Sequence, residues 1–219
     1  MDDEISTGGA KENFTYLLNS IDDNYNYIMF CDQDDFWLNY KIEKTLIKMK
    51  EEEKNSKGKC PIIIFTDSIV VDENLEKISE SMWEYQKVKP TFSQDIFRLS
   101  TCNVITGCTM MINKSAKKEY KLTKNALMHD WLLALQILKV GGKLSFVNES
   151  LILYRQHSLN VSGAKNTNFS GYLNKIAKLD KLIKNNLSNY YMVKELNIFS
   201  NMLSFIFSKI KTMCMRFYS

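Results

Sequence analysis

Tyr27-Ile28-Met29-Phe30-Cys31-Asp32-Gln33-Asp34-Asp35-Phe36-Trp37-Leu38-Asn39-Tyr40-Lys41-Ile42-Glu43 is the stretch on which the reading of this chain turns. It opens with a short apolar, aromatic run of the kind that forms a buried strand. Three carboxylates then fall within four positions, and an apolar-periodic helix follows from about Asn39. On extended backbone Asp32 and Asp34 leave the chain on the same face. Like charges that close repel unless a cation or a basic group sits between them. Oxygen-rich clusters of this type suit hard divalent ions, here Mg²⁺ or Mn²⁺. The simpler alternative is a strand-to-helix turn whose Asp34 or Asp35 only caps the helix. Open α/β sheets hold their ligands beyond the carboxyl ends of their strands, which favours the metal reading.

Working outward, the 219 residues are 45% hydrophobic and 25% charged, enough for one good core with an appendage. A net charge of +4, nearly all of it lysine, is too mild to point to nucleic acid. Five scattered cysteines without C-x-x-C spacing argue against a zinc knuckle or a disulfide framework, and for a reducing cytoplasm. The acidic start does not read as a signal peptide.

Along the chain, Lys11 to Ile21 reads as a helix with Phe14, Leu17, Leu18 and Ile21 on one face, and Asn39 to Lys54 as one with Ile42, Leu46, Ile47 and Met49 inside. The charged run from Glu51 to Lys59 reads as an exposed helix end. Pro61 to Phe65 is a central strand ending in Thr66-Asp67-Ser68, whose acid either meets substrate or caps a loop. Met82 to Ile96 is a loop, followed by a short helix near Phe92 to Leu99. Asn103 to Asn113 reads as a strand broken by Gly107, a bulge or a close backbone approach. Met128-His129-Asp130-Trp131 opens a helix, where an acid is either a first-turn residue or a base. Val140-Gly-Gly-Lys stops that helix. Two strands follow, Leu144 to Val147 and Leu151 to Tyr154.

The run Asp32-Gln-Asp-Asp-Phe-Trp-Leu-Asn-Tyr-Lys-Ile-Glu43 resembles the metal-site segment of glycosyltransferase family 2, in its rhamnosyltransferase-like branch. His129-Asp130-Trp131 resembles that branch's form of the catalytic-base segment. Tyr154-Arg155-Gln156-His157-Ser-Leu-Asn160-Val-Ser-Gly163 resembles its Tyr-Arg-x-His-x-x-Asn-x-x-Gly signature. The resemblance covers about Gly9 to Gly163. It implies a GT-A-like α/β domain, a mixed sheet flanked by helices, over residues 1–165. It implies Asp130 as catalytic base and Asp32, Asp34 and His157 around the metal. Asp35, Arg155, Gly107 and Thr109 would face the donor diphosphate, and Trp37, His129 and Trp131 would orient the acceptor. In the family, the counterpart of Gly9 to Phe14 follows an opening part of the sheet that holds the base and ribose of the donor. That part is not found ahead of Gly9, so at ~30 residues per strand–helix–strand unit roughly 60 residues are wanting.

Residues 166–219 read as a basic, amphipathic helical appendage. Tyr172 to Asn186 would place Leu173, Ile176, Leu179, Leu182 and Ile183 inward and lysines outward, and Asn197 to Phe217 is denser in apolar residues. Neither reaches the ~20 apolar residues of a membrane span. Two roles stay open, a hairpin packed on the sheet and peripheral contact with an anionic membrane face. The expected activity is that of a bacterial, inverting, metal-dependent glycosyltransferase at the inner face of the plasma membrane. It would move a sugar, with rhamnose from dTDP-rhamnose the leading donor, to a hydroxyl of a surface polysaccharide or lipid-linked glycan of the cell envelope. Two other readings stay open: an inactive or partner-binding fragment of such an enzyme, and a metal-dependent phosphohydrolase using an Asp-x-Asp strand end.

Overall fold

The structure, a computed structural model, describes residues 9–57, 60–156 and 179–217. Its spine is the ten-residue strand Ile62–Val71 (β3), buried at nine of its ten positions. Alternation on this strand serves two layers. Ile62 and Ile64 pack with Met49 and Met111 on one face, while Ile63 and Phe65 join the main core with Ile112, Leu132 and Leu133 on the other. Strand Tyr27–Met29 (β1) pairs antiparallel with Met111–Asn113 (β5), and β5 pairs antiparallel with β3. Lys143–Arg155 (β6) runs parallel to β3, and the two-residue strand Phe36–Trp37 (β2) closes the far edge against β6. The order is β1-β5-β3-β6-β2, with Lys77–Ser79 (β4) paired to the outer part of β3. This is the mixed sheet flanked by helices that a GT-A-like domain requires.

Helix Ala10–Ser20 (α1) and helix Lys41–Asn55 (α2) lie where the apolar periodicity places them, but α2 turns a different face inward. Lys41, Thr45, Met49 and Glu52 are its buried residues, and Ile42 and Ile47 are more than half exposed. Glu52 belongs to no exposed helix end: Lys48, Lys143 and the Ser145 hydroxyl surround its carboxylate. On α1, Leu17 likewise points to solvent and Thr15 is buried, its hydroxyl 2.6 Å from the Tyr120 hydroxyl.

The two strands expected between Leu144 and Tyr154 are one. The break in their pattern is a register shift where Thr66 pairs Val147 and Asp67 pairs Ser150, so β6 carries the extra residues of a bulge. Thr66-Asp67-Ser68 is correspondingly inside a strand and not a loop. Asp67 is 6% exposed, and its Oδ1 accepts from the N–H groups of Ser68, Met82 and Trp83 at 2.8, 3.0 and 3.2 Å. The hydroxyl of Ser81 donates to its Oδ2. It therefore anchors the short helix Met82–Gln86 (α3) to the bulge, and capping is the role of this acid.

After α3 come a 3₁₀ turn at Pro90–Gln94 and helices Ile96–Thr101 (α4), Lys114–Glu119 (α5) and His129–Lys139 (α6). Only residues 111–113 of the run expected as a strand from Asn103 are one, because Gly107–Thr109 winds into a 3₁₀ turn. The α6 stop is built from two glycines. Gly141 has φ +75°, and a Cβ on Gly142 would lie 2.7 Å from the Pro61 carbonyl oxygen, which holds β6 to the start of β3. Helices Leu179–Glu195 (α7) and Met202–Phe217 (α8) close the described chain. Tyr190, Met192, Val193, Leu196, Phe199 and Phe205 join the main core. The hairpin is thus continuous with the sheet domain through residues that the lysine-out pattern did not select.

Replacing Asp67 by Ala leaves three N–H groups without their acceptor. The expected loss is about 1–3 kcal/mol, read as a lower urea midpoint at unchanged slope, with Asp67→Asn milder.

Candidate active site

β1 and β2 sit at opposite edges of the sheet, yet only residues 30–35 join them. In a flat sheet four inter-strand steps would separate them by about 19 Å, which six residues cover with little slack. The acidic loop is therefore strung across one end of the sheet, pinned by Phe30 in the core on one side. On the other side β2 pairs with Ile152 and Leu153, and the Leu38 N–H donates to the Leu151 carbonyl at 3.1 Å.

Within this loop, Asp32, Asp35 and the thiol of Cys108 bring their ligand atoms within 4.8 Å of one another. Cys108 arrives on the 3₁₀ turn beside Gly107, a position whose sequence gives no sign of it. Burial pushes the Asp32 carboxyl up, and the neighbouring Asp34 charge adds to the shift. Burial pushes Asp35 up to about 6. Its Oδ1 accepts from the Arg155 N–H at 3.1 Å, while its Oδ2 is buried with no hydrogen-bond partner among the described residues. An orphaned buried carboxylate oxygen beside a second acid is a fit for a hard cation. Burial raises the Cys108 thiol well above its ordinary range, so in the absence of a cation it is a protonated neighbour of the two carboxylates. The converging oxygens are those of Asp32 and Asp35, with Asp34 outside the trio but on the lining of the adjacent cleft. The strict two-apart alternation that pairs Asp32 with Asp34 does not apply, since the loop turns at residues 33–34.

Behind the loop lies a fully buried cation that the sequence reading missed. Lys41 is 0% exposed, its Nζ lies 4.2 Å from the centre of the Trp37 ring, and it has no hydrogen-bond partner among the described residues. Burial lowers it to about 8, against the opposing pull of Cys108, Cys31 and Asp35. Trp37 is thus the cover of a buried lysine, packed with Val70, Ile152 and Tyr154, rather than part of the cleft lining.

The cleft in front of the loop holds about 590 Å³, and Asp32, Asp34, Gly107, His129 and Asp130 all line it. Asp130 opens α6 at 5% exposure. Its Oδ2 accepts from the Gly107 N–H at 2.8 Å and its Oδ1 from the Trp131 N–H at 2.5 Å, which fixes the plane of the carboxylate. Burial raises its pKa, partly opposed by His129. Burial lowers that of His129, so the imidazole beside it is neutral at pH 7. His129 stacks on Phe14 with ring centres 4.4 Å apart, and neither ring nitrogen has a hydrogen-bond partner among the described residues. Gly9, Ala10, Asn13 and Phe14 of the α1 end complete one wall, Trp83 and Gln86 of α3 another.

Not every expected residue reaches the cleft. The Trp131 indole N–H donates to the Leu99 carbonyl at 2.7 Å, so this ring anchors α6 to α4. Thr109 is 2% exposed and its hydroxyl donates to the Thr106 carbonyl at 2.7 Å, closing the 3₁₀ turn. Arg155 ends β6 next to Asp35. His157 and the rest of its motif lie outside the described residues. All five cysteines are free.

No protein-family model matches the chain. Over 166 residues it is 29% identical to the dTDP-rhamnosyl transferase RfbG of Shigella flexneri, an overlap covering 72% of this chain and 52% of that protein. The likeness is to a glycosyltransferase. The chain spans about half the length of this curated relative.

Asp35 gives a pH-dependent prediction. A folded-state pKa near 6, above the ordinary carboxylate value, means its contribution to stability is full at low pH and is lost as pH rises through 6. Asp35→Asn should therefore raise the melting temperature at pH 7.5 without metal by about 2–4 °C per kcal/mol of relieved desolvation, with the gain shrinking at pH 5. Mn²⁺ should stabilise the native chain at pH 7.5 and the variant much less; equal shifts would remove Asp35 from the metal site. At Gly107, an added Cβ would sit 2.8 Å from His129 Nε2. Gly107→Ala should displace the imidazole and lower any Asp130-dependent turnover by roughly tenfold or more, since an ångström of misplacement is costly.

Proposed function

We propose that this chain carries the cation-binding and acceptor-activating site of an inverting nucleotide-sugar transferase, with dTDP-rhamnose as donor and a glycan or lipid-linked hydroxyl as acceptor. The carrying observation is that Asp130, buried and oriented at the mouth of α6, lines the same cleft as Asp32 and Asp34 of the acidic loop. Similarity to a rhamnosyl transferase supports the choice of donor.

In this reading the acceptor oxygen attacks the anomeric carbon from the face opposite the diphosphate. The carbon–oxygen bond to the diphosphate breaks, and the hydroxyl proton passes to a carboxylate oxygen of Asp130. Both of its oxygens already accept one backbone N–H each, so the carboxylate meets the hydroxyl without reorganising. Desolvation makes it a stronger base than a solvated carboxylate. A divalent cation held by Asp32 and Asp35, Mg²⁺ or Mn²⁺, would supply neutralisation of the leaving diphosphate. The Arg155 side chain, at the end of β6, would supply fixed positive charge for the phosphate oxygens. Neutral His129, stacked on Phe14, gives the acceptor side an aromatic wall that carries no charge to compete with the base.

The test combines calorimetric binding of dTDP-rhamnose with Mn²⁺ and transfer to a lipid-linked acceptor. Asp130→Asn should cut transfer by about 10²–10⁴-fold while donor binding stays close to that of the native chain. Transfer by the native enzyme should fall on acidification through a pKa above the ordinary carboxylate range. Full activity in Asp130→Asn, or metal-independent donor binding, would overturn the assignment.

A further inference from the structure

Helix α8 is amphipathic the wrong way round for a helix of a water-facing domain. Its inner face holds Phe205 and Thr212, each 2% exposed. Its outer face is apolar: Leu203 is 77% exposed, Phe207 72% and Ile210 53%. Scattered apolar residues on a surface need no explanation, but a continuous row along one helix marks a binding face. The row continues onto neighbouring elements through Phe97 of α4 and Ile183 and Leu187 of α7, all exposed. Between α7 and α8 runs an apolar groove of about 570 Å³.

Charge tells which partner this face suits. α8 contains no acidic residue; of its three cations Arg216 is held on the inner side by the carbonyls of Gln86 and Lys87 and Lys209 lies over the buried Phe205 ring, which leaves Lys211 on the outer side. Lys211 is exposed at the edge of the apolar row, beside Phe207 and the Arg98–Asp95 ion pair. At sixteen residues the helix is about 24 Å long, short of the ~30 Å hydrocarbon core. No helix among the described residues is long and apolar enough to cross a membrane. An apolar stripe on a helix without acids, with an exposed lysine at its edge, is what a helix lying in the headgroup region of an anionic bilayer presents. We infer that the outer face of α8, with the α7 groove beside it, is the surface by which this chain docks on an anionic membrane.

The docking surface is tied to the cleft by one residue. The Arg216 guanidinium donates to the carbonyls of Gln86 and Lys87, and Gln86 lines the cleft. A membrane seated on the outer face of α8 thus lies one helix diameter, about 10 Å, and one side chain from the cleft wall. The docking itself stands apart from the sugar-transfer reading, which bears only on why a cleft is held there.

The test is flotation of the whole chain with two kinds of vesicle, phosphatidylcholine alone and phosphatidylcholine with about one third phosphatidylglycerol. The chain should float with the anionic vesicles, less as salt rises, and little with the neutral ones. Phe207→Glu with Ile210→Glu should weaken that binding about tenfold or more, and Lys211→Glu to a smaller degree. Both apolar positions face outward, so the double variant should keep the native melting temperature and donor binding. No flotation, or flotation indifferent to the double variant, would overturn the inference. So would a dimer in sedimentation that the double variant dissolves while vesicles bind neither protein, since the face would then join two copies. Asp130→Asn must float like the native chain. A chain that floats but binds no donor refutes the transferase reading alone, and one that binds donor but does not float refutes only the docking.

Discussion

The parallel pairing of β3 with β6 is the constraint on which the rest of the molecule hangs. Antiparallel neighbours can find each other through a short hairpin, but a parallel pair needs a long crossover, here everything between Val71 and Lys143. The inner half of β3 takes β5, which in turn takes β1; the outer half takes β4, and β6 takes β2. Between the halves sits the bulge at Thr66–Ile69, whose Asp67 gathers the N–H groups of α3. Because β1 and β2 end up on opposite edges, the acidic loop is stretched over the sheet end as a consequence of the pairing. A different register would slacken it and disperse its carboxylates.

What results is a local electrostatic debt. Asp32, Asp35 and Asp130 are all desolvated, all with pKa values raised chiefly by burial. A fold selected for stability alone would put apolar side chains or hydrogen-bond donors there. Asp130 has two backbone donors, whereas Asp35 has an oxygen with none among the described residues. Under the proposed function the two acids would take different tasks, one as fixed base, the other as ligand. Lys41, caged under Trp37, offsets part of the charge from behind without forming an ion pair within reach of either carboxylate's hydrogen bonds. Such a cation tempers repulsion yet leaves the front of the loop open.

Periodicity misleads where both faces of a helix are apolar. Of the residues expected inward over Tyr172 to Asn186, Leu173, Ile176, Leu179 and Leu182 lie outside those whose side chains are described, and Ile183 is 48% exposed; the buried Asn189, Tyr190, Met192 and Val193 of α7 lie beyond that stretch. On α2 the same rule failed in the opposite sense: Lys41 and Glu52 went inside because partners or an aromatic ring awaited them, and Ile42 and Ile47 went outside. Long side chains carry enough hydrocarbon to be buried when their ends are accommodated.

The sequence by itself determined the elements whose signals are local. These are the apolar strand before Asp32, the acidic turn that follows it, the glycine stop after α6, and the helix opening at His129. It also pointed to the order of motifs that the likeness to a rhamnosyl transferase accompanies. Tertiary structure alone decided which acid meets which. Asp35 joins Asp32 because β2 crosses to β6, Cys108 arrives from a turn some seventy residues away, and Asp130 is oriented by the Gly107 N–H. Trp131 and Thr109 are withdrawn from the cleft by backbone carbonyls that no spacing rule reveals. The physical reason is one of range. Strand and helix signals are carried by neighbours within a few residues, whereas burial, desolvation and the convergence of carboxylates depend on contacts made across the whole chain.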